Sequence, residues 1–152
     1  MNINDAALRY LSSRSRTVYE MKKQLGQKGF TDEEIGALIA DFRECGYLDD
    51  LRYCQEYFHY AFGKGKGKRL VFNELREKGI DQADIDIAFE EYDLEMDEVS
   101  RAREEAAKVL RMAEIEDGQP VPEKIIGRIA RKLQSKGYSS DTIYNIIGDM
   151  RR

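Results

Sequence analysis

The string Leu25-Gly-Gln-Lys-Gly-Phe30 recurs as Leu75-Arg-Glu-Lys-Gly-Ile80 and again as Leu133-Gln-Ser-Lys-Gly-Tyr138. Leu-x-x-Lys-Gly-apolar therefore occurs three times, at separations of 50 and 58 residues. Such a recurrence constrains the fold more than any local propensity, because each copy is one supersecondary unit that buries its apolar face against a neighbour. The flanks repeat as well. Five residues beyond each apolar residue a run with helical spacing begins: Ile35/Leu38/Ile39/Phe42, Ile85/Ala88/Phe89/Tyr92 and Ile143/Ile146/Ile147/Met150. Met21, Val71 and Ile129 lie four residues before each motif leucine and complete the inward stripe of the preceding helix.

The motif has the chemistry of a helix-turn-helix corner. Gly29, Gly79 and Gly137 stand where a helix ends with a residue at positive φ, and the lysine before each sits at the negative end of the helix dipole. The next helix opens on a cap: Thr31 with Glu34 forms a capping box, Asp81 caps the second copy, and Ser139 or Ser140 the third. Each copy also has an earlier helix. The first runs from about Asp5 to Ser12 and is followed by the capping box Thr17-x-x-Glu20. The second is capped by Asp49 or Asp50 and carries Leu51, Cys54, Phe58 and Phe62 on one stripe; the third carries Val99, Ala102, Ala106, Val109 and Ala113.

Nine helices result. The expected fold is all-α: three tandem three-helix, helix-turn-helix-like repeats at 1–46, 47–93 and 94–152, stacked into an elongated curved body. Gly63-Lys-Gly-Lys-Gly67 puts three glycines in five residues, and 114–122, with Asp117-Gly118 and two prolines, forms a longer loop. The first reads as a flexible basic hinge, and both breaks leave freedom between first and middle helices.

Net charge is −4, which argues against a surface that wraps nucleic acid throughout. Its distribution is more informative. Between Gly63 and Gly79 six bases (Lys64, Lys66, Lys68, Arg69, Arg76, Lys78) face two acids, and between Pro122 and Arg152 seven (Lys124, Arg128, Arg131, Lys132, Lys136, Arg151, Arg152) face three. From Asp81 to Glu98 there are nine acids, Glu95 among them, and no base. A body of alternating sign suits a mixed partner of protein and nucleic acid. The N-terminus lacks a basic region followed by an apolar one, and no apolar stretch approaches a membrane span, so the expected location is the cytoplasm. Cys45 and Cys54 match neither a disulfide framework nor a metal motif and read as small core hydrophobes.

The inventory for catalysis is thin. His59 is the only histidine and has no cysteine at ligand spacing, so it reads as a buried or half-buried structural residue, with no metal site. The 63–68 run lacks the Gly-x-x-x-x-Gly-Lys-Ser/Thr pattern of a phosphate loop. Its functional alternative to a plain hinge is that Lys64, Lys66, Lys68 and Arg69 touch DNA phosphates or an acidic protein. The acidic run reads as a solvated face, and Tyr47, Tyr53, Tyr57 and Tyr60 read mostly as core packing, with one or two left to stack on a partner. Neither an enzyme nor a cofactor is expected.

Gly46-Tyr-Leu-Asp-Asp-Leu-Arg-Tyr-Cys54 resembles the Gly-Tyr/Phe-Leu-Asp-Asp-x-Arg-Tyr/Phe-Ala string of the RecX family, with Cys54 at the usual alanine. Arg14-Ser-Arg-Thr-Val-Tyr-Glu-Met21 resembles that family's entry to the middle helix, and Leu75 to Ile80 its Leu-x-x-Lys-Gly-Ile. The likeness runs from about Ala6 to Met150. It implies three three-helix repeats that bind the filament of the RecA recombinase in its groove, suppress its ATPase, coprotease and strand-exchange activities, and so act in recombination, DNA repair and the SOS response. It implies RecA and the single-stranded DNA within its filament as partners, and leaves open a weak direct contact to nucleic acid; with no heptad seam or large exposed apolar stripe in the sequence, a monomer is expected. Charge and exposure point to Lys64, Lys66, Lys68 and Arg69 as contacts, to Arg128, Arg131 and Lys132 as a second basic patch, and to the acidic face of the second repeat toward RecA; Arg14 and Arg16 are weaker candidates. Two rivals stay open. One is a direct DNA-binding helix-turn-helix protein, opposed by a second-copy helix that carries acids and no base; the other is a helical-repeat interaction scaffold.

Overall fold

In a computed structural model that describes residues 1–94 and 96–151, the chain is helical; Glu95 and Arg152, counted above in the charged runs, lie outside the described residues. Nine helices and no strand occur among the described residues: α1 Ile3–Leu11, α2 Val18–Gln27, α3 Asp32–Cys45, α4 Asp50–Gly63, α5 Lys68–Glu77, α6 Gln82–Glu90, α7 Glu98–Met112, α8 Glu123–Ser135 and α9 Ser140–Met150. They succeed one another as three three-helix sets. None of the described helices is long and apolar enough to cross a membrane.

The motif leucines explain why the three corners have one geometry. Leu25, Leu75 and Leu133 are fully buried, each contributing on the order of 2 kcal/mol from apolar burial. Each leucine carbonyl accepts the amide of the apolar residue five positions on, from Phe30 (3.3 Å), Ile80 (3.2 Å) and Tyr138 (3.1 Å). The residue between, Gly29, Gly79 or Gly137, has φ of 90°, 87° or 88°. This is the Schellman ending, which satisfies carbonyls left over at a helix C-terminus.

The chain forms two compact units. The first comprises residues 1–57 and 74–92, the second 58–73 and 93–152, so the division passes through α4 and through α5. In the first unit the core gathers Ala6 and Ala7 of α1, Val18, Met21 and Leu25 of α2, Ile35, Leu38, Ile39 and Phe42 of α3, and Leu48. Both capping boxes are formed, Thr17 with Glu20 and Thr31 with Glu34. Asp49 caps α4 by accepting the Arg52 amide at 3.0 Å, which leaves Asp50 to accept the Val18 amide at 3.0 Å. Burial pushes the Asp50 carboxyl above its ordinary value.

In the second unit Ala102, Ala106 and Val109 of α7 pack with Ile129 and Leu133 of α8, Tyr138, and Ile146 of α9. Phe58 stacks on Phe62 and Phe72 with centroids 5.7 and 6.0 Å away. Ser139 caps α9, and Glu98 at the start of α7 accepts from both Ser139 and Thr142.

Several sequence expectations change. Cys54 is buried, but Cys45 is exposed because it closes α3 beyond the last inward position, Phe42. His59 and Leu51 are exposed, since the inward face of α4 runs through Tyr53, Cys54, Phe58, Ala61 and Phe62. Among the four tyrosines the expectation stands, with Tyr53 buried, Tyr57 half-buried, and Tyr47 and Tyr60 the two left exposed. Asp81 occupies the N-cap of α6 without a side-chain hydrogen bond to it.

Each unit contains one joint between successive middle helices, and the two joints match in register. Thr17 and Gly67 both lie eight residues before a motif leucine. In the first unit the Thr17 hydroxyl donates to the carbonyl of Lys78 at 2.7 Å; in the second the Gly67 amide donates to the carbonyl of Lys136 at 2.6 Å. Lys78 and Lys136 are the lysines of the next repeat's motif, so each corner rests on the N-terminus of the preceding middle helix.

Candidate functional site

The 63–67 segment, read from sequence as a flexible hinge, is packed. Gly63 ends α4, Gly65 takes φ 82° as the left-handed residue after the cap, and Gly65 and Gly67 are buried. A Cβ on Gly67 would stand 2.8 Å from the backbone carbonyl of Gly137, so glycine is required there for close approach.

Every peptide group from Lys64 to Gly67 has a partner within this unit. The amides of Lys64, Gly65 and Lys66 donate back to Tyr60, Phe62 and Ala61, and the Gly67 carbonyl accepts from Val71. The remaining groups turn toward α7 and the α8–α9 corner. The Lys136 ammonium donates to Lys64 O at 2.8 Å, the buried Tyr138 hydroxyl donates to Gly65 O at 2.8 Å, and the Arg101 guanidinium donates to Lys66 O. Arg101 is itself buried, its guanidinium 4.6 Å from the Phe62 ring centre and 5.9 Å from that of Tyr138. Burial pushes the Tyr138 phenol up to about 12, so it remains a donor across the physiological range.

Glu105 lies beneath the segment, with its side chain 4 % exposed. Its carboxylate meets Lys108 at 2.7 Å, Lys136 at 3.2 Å and Lys132 at 3.8 Å. Burial alone would raise its proton affinity, but the hydrogen bond from Lys108 and the positive charge of Lys136 beside it outweigh that and hold the carboxyl below the usual range.

All seven basic residues singled out from sequence fall in this second unit. Lys64, Lys68, Arg69, Arg128 and Arg131 are exposed, and Lys66 is half-buried. Lys132 is half-buried too and belongs to the Glu105 cluster, with a further hydrogen bond to the Glu105 carbonyl at 3.4 Å. In the first unit Arg14 pairs with Glu20 at 2.7 Å, while Arg16 lies 3.9 Å over the Tyr10 ring and donates to the Tyr10 carbonyl. Both arginines thus serve the entry to α2. On the acidic run Asp81, Asp86, Glu90, Glu91, Asp93 and Asp97 are exposed, whereas Asp84 and Glu98 are half-buried.

Sequence reasoning missed Arg101, Glu105, Lys136 and Tyr138. Arg101 and Glu105 carried a signal: they stand four apart beside the inward alanines of α7, where a charged pair has to find buried partners. Tyr138 carried almost none, because it fills the same apolar corner slot as Phe30 and Ile80 and differs from Phe30 only by its hydroxyl.

Residues 5–42 match the family model described as RecX, first three-helix domain, and residues 49–88 the model described as RecX, second three-helix domain. The regulatory protein RecX of Vibrio vulnificus is 30 % identical over 98 % of this chain and 93 % of its own length. That of Trichlorobacter lovleyi is 35 % identical over 91 % of this chain and 88 % of its own. Among solved structures, RecX from Lactobacillus salivarius superposes with a TM-score of 0.77 at 24 % identity, covering 98 % of this chain and 94 % of that one.

Proposed function

Since the chain belongs to the RecX family of regulatory proteins, we propose that it is a cytoplasmic monomer that binds the RecA nucleoprotein filament and inhibits its ATPase, coprotease and strand-exchange activities. In this reading the repeats at 1–46, 47–93 and 94–152 contact successive parts of the filament. Lys64, Lys66, Lys68, Arg69, Arg128 and Arg131 meet the phosphates of the bound single strand or acidic groups beside them, with Lys132 behind them. The exposed acids of α6 and the segment after it face basic loops of RecA. Many modest contacts on a repeated scaffold supply affinity without a deep pocket, because each contact after the first is effectively intramolecular.

The observation that carries the reading is the Lys64–Arg69 segment: three of its four basic side chains are exposed, and the clamp bonds from α7 and the α8–α9 corner go to its main chain. The test is single-stranded-DNA-dependent ATP hydrolysis by the host's RecA, titrated with this protein and with a variant carrying Lys64, Lys66, Lys68 and Arg69 all changed to Ala. Wild type is expected to suppress hydrolysis at or below stoichiometric amounts, and the variant to need at least about tenfold more at physiological salt, given the dependence of phosphate contacts on charge. Equal inhibition by the two proteins would retain the function and remove this segment from it. No inhibition and no filament binding by wild type would leave a helical scaffold for another partner.

A further inference from the structure

A loop with three glycines in five residues has much conformational freedom to lose, and ordering it only on binding would cost part of the affinity. Here the ordering is already complete. Four groups drawn from α7 and the α8–α9 corner hold consecutive residues: Lys136 Nζ on Lys64 O, Tyr138 Oη on Gly65 O, Arg101 on Lys66 O and the Lys136 carbonyl on Gly67 N. The closeness of Gly67 to Gly137 and the Glu105 carboxylate packed against Gly65 leave the segment no room to collapse inward.

We propose that Tyr138 and Arg101, with Lys136, are positioning residues for nucleic-acid contact: they fix the main chain of 64–67 so that Lys64, Lys66, Lys68 and Arg69 engage phosphates as a preset array. The inference deepens the reading in Proposed function and rests on it. Two physical consequences distinguish a preset array from a loose basic tail. Binding does not spend free energy on ordering the loop. The number of phosphates engaged, read from the slope of log affinity against log salt, depends on groups that touch no phosphate, the uncharged Tyr138 hydroxyl among them.

The test uses two charge-neutral substitutions in the full chain, Tyr138→Phe, which removes the hydroxyl over Gly65, and Gly67→Ala, whose Cβ pushes the segment off the Gly137 corner. The probe is a fluorescein-labelled oligo(dT) single strand, titrated over a salt series. Fold is checked by far-ultraviolet circular dichroism at the assay temperature, and loop order by the rate of tryptic cleavage after Lys64 and Lys66. Both variants are expected to be nicked several-fold faster in the segment. Their affinity should fall by roughly five- to tenfold, with a salt slope shallower by about 0.7, the value of one lost phosphate contact on a single strand. A folded Tyr138→Phe or Gly67→Ala that keeps the wild-type affinity and slope overturns the inference while leaving the basic contacts in place. Wild type that binds the strand with no salt dependence overturns the basic-contact reading itself, and this inference with it.

Discussion

The first corner and the third share the Leu-x-x-Lys-Gly-aromatic pattern, a hydrogen-bond pattern and a backbone angle, yet they do different work. Gly29 and Gly137 have φ of 90° and 88°. A Cβ on Gly29 would meet nothing within 4 Å, whereas one on Gly137 would lie 2.4 Å from Leu70 Cβ and 2.5 Å from Leu70 N. Gly79 resembles Gly137, with Tyr19 Cβ 2.1 Å from the position a side chain would take. The comparison separates two demands that one residue type conceals: the left-handed turn, which all three corners need, and close approach to another helix, which only the second and third need.

The largest effect is expected where both demands coincide. Gly137→Ala or Gly79→Ala combines left-handed strain with overpacking and should cost about 3 kcal/mol or more, a fall in Tm of roughly 10 °C by calorimetry. If either tolerates alanine with a loss below about 1 kcal/mol, the joint is not a close contact in solution. Next in size is Thr17→Val, which keeps the shape of a fully buried side chain while removing its bonds to the Glu20 amide and the Lys78 carbonyl. About 2 kcal/mol should be lost in denaturant melts. The second joint has no counterpart to this mutation, because there a backbone amide is the donor. Gly29→Ala should cost only about 1 kcal/mol, since strain acts alone.

The smallest effect at neutral pH is Glu105→Gln, and its signature lies in acid. The Glu105 carboxyl is held below its usual 4.5, so its contribution is complete above that value and is lost as pH falls through the lowered one. Asp50 in the first unit has the opposite sign: burial raises it above 3.8, so the folded state gains relative stability as its proton binds. The plot of Tm against pH below about 4.5 should therefore be shallower for Glu105→Gln than for wild type and steeper for Asp50→Asn. Identical acid limbs would mean that neither carboxylate is held as its surroundings imply.

What the sequence made legible follows from range. Corners, caps and inward stripes are set by residues three to five apart, so Leu25 to Phe30 and its two copies revealed themselves by repetition. The joints depend on contacts across 61 and 69 residues, Thr17 to Lys78 and Gly67 to Lys136, and nothing local in Gly67 distinguishes a glycine kept for approach from one kept for freedom. That is why the 63–67 segment read as a hinge. The basic residues were legible as charges, but the partners that fix their main chain, Tyr138 and Arg101, were not, because their partners are carbonyls and every residue has one. Cys45 and Leu51 misled for a related reason: a stripe drawn by spacing does not say where the covering element stops.

The joints also bear on how such a chain changes length over generations. The first repeat contributes only a receiving N-terminus at Thr17, and the third only a corner at Lys136; the second contributes both, receiving at Gly67 and donating its corner at Lys78. A tandem duplication of the middle repeat would thus give each new boundary a receiver and a corner of the existing kinds. Duplicating either end would leave a mismatched boundary for later mutation to repair. The middle repeat is thus the one segment whose copying would supply both halves of a joint.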